Sequence, residues 1–158
     1  MADDYPFVAF RFDVQLLVEN PQQFGLTNPL CNALFSECDG LEMTMEPKTV
    51  REGGNNLHQT HLPGPVTYGQ LTLKRGMTAN LDLWKWFNVA AGGAGQGRGT
   101  LASGLVTLRD GAGAPKLRFN LVDCLPVKIK APALSGKDGI IAVEEMQLAY
   151  ASFTVEAA

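Results

Sequence analysis

A mainly β, α+β chain of six or seven strands with one helix is predicted by three observations. Several stretches alternate apolar and polar residues with a period of two, most clearly "FRFDVQLLV" at 10–18 and "VTYGQLTLKRG" at 66–76. Only the stretch around 80–91 carries apolar residues at helical spacing. Glycines and prolines are numerous, 17 and 9, as turns joining many short elements require.

Taken in order, residues 10–18 set Phe10, Phe12, Val14, Leu16 and Val18 on one face of a half-buried strand, against Arg11, Asp13, Gln15 and Leu17. "NPQQFGLTNPL" then reads as a loop. A second strand, 35–46, bends at Gly40 and extends the same amphipathic sheet, with Leu41, Met43 and Met45 opposing Glu42, Thr44 and Glu46. The insert at 47–65, "PKTVREGGNNLHQTHLPGP", suits a long hairpin with "GGNN" at its tip, and an insert of this size usually binds something or moves. In 66–76, Thr67, Gly69, Leu71 and Leu73 face a core until Arg75, while Val66, Tyr68, Gln70, Thr72 and Lys74 form the other face.

The helix is capped by Asn80, favoured by Asp82 at its positive end and closed by Gly92. Leu83, Trp86, Phe87 and Ala90 share one face, with Asp82 and Lys85 on the other. Trp84 widens the apolar arc, either as a broad core contact or as an anchor against another subunit. "GGAGQGRG" is a flexible connector, and 101–124 reads as a hairpin turning at Asp110-Gly111. Pro126 and Pro132 bracket an edge-lying segment. In the long last strand the apolar phase moves from Ile141 and Val143 to Met146, Leu148 and Tyr150, which predicts a bulge at Glu144-Glu145.

A length of 158 residues fits one domain, 1–158, with its own core. The net charge of −3 and singly scattered Lys and Arg lack the basic footprint of a nucleic-acid binder. Cys31, Cys38 and Cys124 have no CxxC spacing and read as reduced apolar fillers. The acidic start "MADDYPFVAFRF" is unlike a signal peptide, and no apolar run reaches membrane-spanning length, so synthesis in the cytoplasm without membrane insertion is expected.

Chemistry finds little support. His58 and His61 are spaced HxxH on a loop without an evident third ligand. The glycine run at 92–99 follows a helix and lacks the Gly-Lys-Ser/Thr ending of a phosphate loop. Glu144 and Glu145 point to opposite faces of a regular strand, and no Gly-x-Ser-x-Gly elbow occurs. No catalytic, cofactor-binding or metal site is therefore assigned, and no enzyme activity is expected.

Taken together, "REGGNN" (51–56), "HLPG" (61–64), "YGQLTLKRG" (68–76), a tryptophan-bearing helix and a long acidic-to-apolar last strand resemble the tail tube proteins of contractile phages. The similarity is greatest to inner tube subunits of phage-tail-like contractile injection systems, relatives of the hexameric type VI secretion tube protein. The resemblance implies a small β-barrel-like sandwich with a flanking helix, in six-membered rings stacked into a hollow tube. A contracting sheath drives that tube through a target envelope. It also implies as partners other copies of the chain, sheath, baseplate or spike and tube-terminating proteins, with cargo or DNA in the lumen. The assembled particle is expected to be a phage tail or an injection device released from the cell.

By the same resemblance, Arg51, Glu52, Gly53, Gly54, Asn55, His61, Leu62, Pro63 and Gly64 reach a neighbouring subunit; Trp84, from its place on the helix, is the further candidate contact. The polar sets Arg11, Asp13, Gln15 and Gln70, Thr72, Lys74 are candidates to line the lumen, although a plain solvent-facing sheet explains the same alternation. The alternative reading is a small β-barrel that binds a ligand or flavin at a subunit junction.

Overall fold

The computed structural model describes residues 6, 11–19, 21–26, 30, 35–51, 53–54, 57–92, 101–137 and 139–158. Strand β1 (Phe12–Val18) is followed by a 3-10 turn at Pro21–Phe24 and the short strands β2 (Glu37–Asp39) and β3 (Met43–Met45). The insert contributes β4 (Lys48–Val50) and β5 (Thr60–Leu62), and β6 (Val66–Tyr68) leads into β7 (Gln70–Gly76). Helix α1 (Asp82–Ala91) precedes β8 (Ala102–Arg109), β9 (Pro115–Lys130), β10 (Val143–Ala149) and β11 (Ser152–Ala157).

Seven strands form one sheet in the order β1-β8-β9-β10-β7-β2, with β11 also on β9. Every neighbouring pair is antiparallel. The 16-residue β9 bends at Asp123, whose φ of +53° is a conformation aspartate tolerates better than most residues. Opposite the bend the chain passes from β10 to β11, and the Ala151 N–H donates to the Val122 carbonyl at 2.9 Å. The sheet thus has two halves sharing β9: β8 and β11 flank its first part, with β1 beyond β8, and β10 flanks its last part, with β7 and β2 beyond it. A strand that turns a corner between halves is how a sheet folds over a core.

One core collects the inward faces of both halves. Val14, Leu16 and Val18 of β1 join Leu71 and Leu73 of β7, Met146 and Leu148 of β10, and Leu83 and Trp86 of α1. The alternation in 12–18 and 70–76 therefore sets burial as expected, although β6 and β7 are separate strands and Thr67 is exposed.

The inward set of β7 does not stop at Arg75. Its side chain is 1% exposed and ion-paired with Glu144, 2% exposed and directly opposite on β10. Glu144 thereby shares the buried side of β10 with Met146 and Leu148, followed by Tyr150, so the phase slip expected at Glu144-Glu145 is absent. Ile141 and Val143 are exposed instead. The irregularity lies between Gln147 and Leu148 against β9, where Leu148 faces Pro126, a residue without a ladder donor.

Helix α1 starts one residue after Leu81, and the Asn80 carboxamide oxygen accepts the Asp82 N–H at 3.0 Å, a cap displaced by one position. Asp82 is buried, not on an exposed face with Lys85. Gly92 closes the helix with its N–H on the Asn88 carbonyl at 2.8 Å. The Asp110 turn forms as expected: its carboxylate accepts the Ala112 and Ala114 N–H groups at 2.9 Å each. The hydrogen bond from Ala114, with further help from Ala112 and Lys116, holds that carboxyl below the usual aspartate range.

Burial, followed by a neighbouring aspartate, pushes the Cys38 and Cys124 thiols up to about 12, which fits neutral fillers. Cys31 and most of the glycine connector, 93–100, lie outside the described residues.

Candidate assembly surfaces

The insert does form a hairpin, and it begins earlier than the sequence suggested. Met43 and Met45 pair with Tyr68 and Val66, then Lys48 and Val50 with Leu62 and Thr60. Residues 43–68 are thus a two-stranded arm outside the seven-stranded sheet, which corrects the placement of Met43 and Met45 on that sheet. Both methionines share a ribbon face with Val66 and Tyr68, and Met43, Met45 and Val66 are 53%, 49% and 42% exposed. Isolated two-stranded ribbons are marginal in water, and an uncovered apolar face on one favours burial against another surface.

Backbone geometry fixes the arm's base. Gly40 has φ +103°, and a Cβ there would lie 1.9 Å from the Gln70 carbonyl oxygen. Further out, a Cβ on Gly64 would lie 1.8 Å from the Glu46 carbonyl oxygen, so the two strands approach as only glycine allows. The Tyr150 hydroxyl donates to the Gly40 carbonyl at 2.7 Å and accepts the Glu42 N–H at 3.3 Å. Its ring and that of Phe153 meet Tyr68 edge-on, with centroids 5.9 and 5.7 Å apart. The arm is therefore clamped to the core by an aromatic cluster.

On this arm Arg51, Gly53, Gly54, His61, Leu62 and Pro63 are exposed and Gly64 is half-buried. Glu52 and Asn55 lie outside the described residues. His58 and His61 are exposed, and the described residues contain no group of three side chains suited to a metal ion.

The two polar sets proposed for the lumen stand on different halves of the sheet. Arg11 is exposed just before β1; within the strand Gln15 is exposed and Asp13 is ion-paired with Arg109. Gln70, Thr72 and Lys74 lie on β7. Since the inward faces of both halves meet in one core, these outward faces look away from each other, and the structure does not bring the two sets together.

Around β7 the outward residues form cross-strand rows. One runs Lys130, Glu145, Lys74, Glu37, with Lys74 Nζ 3.3 Å from Glu37 Oε2; the next runs Lys128, Gln147, Thr72, Asp39. Sequence reasoning did not single out "ECD" at 37–39 or "KIK" at 128–130. The available signal is an apolar residue between like charges, but its meaning depends on sheet order.

Trp84 is half-buried and its indole N–H donates to Glu144 Oε2 at 2.8 Å. The polar end of a residue expected to meet a neighbour is thus engaged within the chain, alongside the Arg75 guanidinium, whose Nη2 donates to the Asn80 carbonyl at 2.7 Å.

No described helix is long and apolar enough to cross a membrane. Comparison with curated proteins gives no match. Among solved structures, a chain of the anti-feeding prophage baseplate superposes with a TM-score of 0.82 at 25% identity, covering 98% of this chain and 97% of that one. A chain of the PVC sheath-tube complex, an extracellular contractile injection system in its extended state, gives 0.78 at 20% identity, with 98% and 94% covered. A type six secretion system protein gives 0.52 at 12% identity, with 93% and 84% covered. The alternative of a ligand- or flavin-binding barrel draws no support from these likenesses. Residues 8–154 match the family model of the T4-like virus tail tube protein gp19, and the chain belongs to that tail tube protein family.

Proposed function

We propose that copies of this chain close into six-membered rings and stack into the hollow inner tube of a contractile injection system or phage tail. The tube is a passive conduit without turnover, through which cargo or DNA passes. The observation that carries this reading is the arm of residues 43–68, clamped at its base by Tyr150 yet presenting an uncovered apolar face. Such a face fits burial on a sister copy, around the ring or in the next ring.

Arg51, Glu52, Gly53, Gly54, Asn55, His61, Leu62, Pro63 and Gly64 are then inter-subunit residues, with the exposed part of Trp84 at the margin. The lumen is assigned to Gln70, Thr72 and Lys74, because the outward face of their half of the sheet carries the continuous polar cross-strand rows from β9 to β2. Arg11, Asp13 and Gln15, on the opposite side, face outward. Sheath, baseplate or spike and tube-terminating proteins are the expected partners, as the similar chains belong to a baseplate and a sheath-tube complex. Negative-stain imaging of the purified chain tests the reading: rings of six or tubes are expected, and uniform small particles at high concentration overturn it.

A further inference from the structure

We infer that charged strand edges choose the partner in the ring: the acidic β2 edge of one copy accepts the basic end of β9 from the next. The inference rests on the assembly reading above and names the surfaces that join. Among the described residues, β2 ends the sheet and is paired on one side only, by β7. At the other border, residues 125–130 of β9 pair with β10 but not with β8, whose pairing stops at Cys124. Both segments therefore offer a row of backbone donors and acceptors to a further strand.

Their side chains are complementary. Glu37 and Asp39 point outward from β2 on either side of the half-buried Cys38, and Lys128 and Lys130 point outward from β9 on either side of the half-buried Ile129. Cys38 and Ile129 both pack against the core, so the two edges share one inward and outward phase, which a continuous sheet demands. Strand direction agrees as well. From β2 through β7 and β10 to β9 there are three antiparallel steps, so β9 runs opposite to β2, and a neighbour's β9 beside β2 continues the alternation.

The row Lys130, Glu145, Lys74, Glu37 would then alternate in sign across the junction, with Glu37 meeting the next copy's basic edge. The charges also act against the wrong assembly. Two β2 edges, or two β9 ends, would place like charges side by side, which disfavours a closed two-fold pair and leaves the head-to-tail contact that closes a larger ring.

Asp39 and Lys128 suit the test, because their cross-strand neighbours are the uncharged Thr72 and Gln147. Asp39→Lys sets a lysine against the next copy's basic β9 edge; Lys128→Asp sets an aspartate against its acidic β2 edge. Each variant alone should stay folded by circular dichroism and yield at least about tenfold fewer sedimentable tubes than wild type. An equimolar mixture should recover them, since opposite charges again meet at positions 39 and 128 of each mixed junction, and so should the chain carrying both changes. If either single variant assembles like wild type, or neither the mixture nor the double exchange restores tubes, the edge assignment is overturned while wild-type assembly stands. A wild-type chain that never assembles removes the ring reading itself, and this inference with it.

Discussion

Glu144→Gln is expected to destabilise the folded chain by about 3 kcal/mol, because it leaves the Arg75 guanidinium buried without its counter-charge. Both partners are almost fully buried, so solvent does not screen the loss. Glu144 also takes the Trp84 indole N–H, and Arg75 reaches the Asn80 carbonyl just before α1. One ion pair therefore ties β7, β10 and the helix start together. Urea unfolding followed by tryptophan fluorescence measures the effect, with Glu145→Gln as the outward-facing control expected to change stability by under about 0.5 kcal/mol. Replacing both partners with methionine should recover much of the loss, since apolar residues of similar volume often substitute for a buried pair at little cost. Equal effects at 144 and 145 would contradict this account of the core.

Excising the arm should have the opposite profile: a folded chain that does not assemble. Replacing residues 46–65 with Asn-Gly supplies a two-residue turn closing the Met45–Val66 pair. Among the described residues, no buried apolar residue lies between Phe35 and Leu71, and the anchors Tyr68 and Tyr150 are retained, so the unfolding midpoint should stay close to that of the full chain. Imaging should then show no tubes under conditions where the full chain forms them. Wild-type-length tubes from the shortened chain would remove the arm from the assembly.

These two regions also mark how far the sequence could be read. Alternation located Val14, Leu16 and Val18 and again Leu71 and Leu73, because each apolar side chain buries itself independently of its partner. Gly40 and Asp110-Gly111 were legible because their turns are local. Arg75 and Glu144 were misread because a buried charge is tolerated only through its partner, here 69 residues away, and periodicity carries no information on that pairing. Reading Ile141 and Val143 as part of the inward apolar set then produces a phase slip that the chain does not have.

Met43 and Met45 failed for a related reason. Their alternation was read correctly, yet an apolar face reports that something will cover it, not whether the cover belongs to the same chain. The edge charges at 37–39 and 128–130 gain meaning only once the sheet order puts them on opposite borders. The split of the two polar sets likewise depends on the bend in β9 at Asp123.

The most direct test is a cryo-EM reconstruction of the assembled tube at side-chain resolution. The account predicts a sixfold wall with Gln70, Thr72 and Lys74 on the bore, β2 of each copy hydrogen-bonded to β9 of its neighbour, and the arm seated on another subunit. A wall that turns this face away from the bore, or copies whose β2 edge is capped by their own chain, would contradict it.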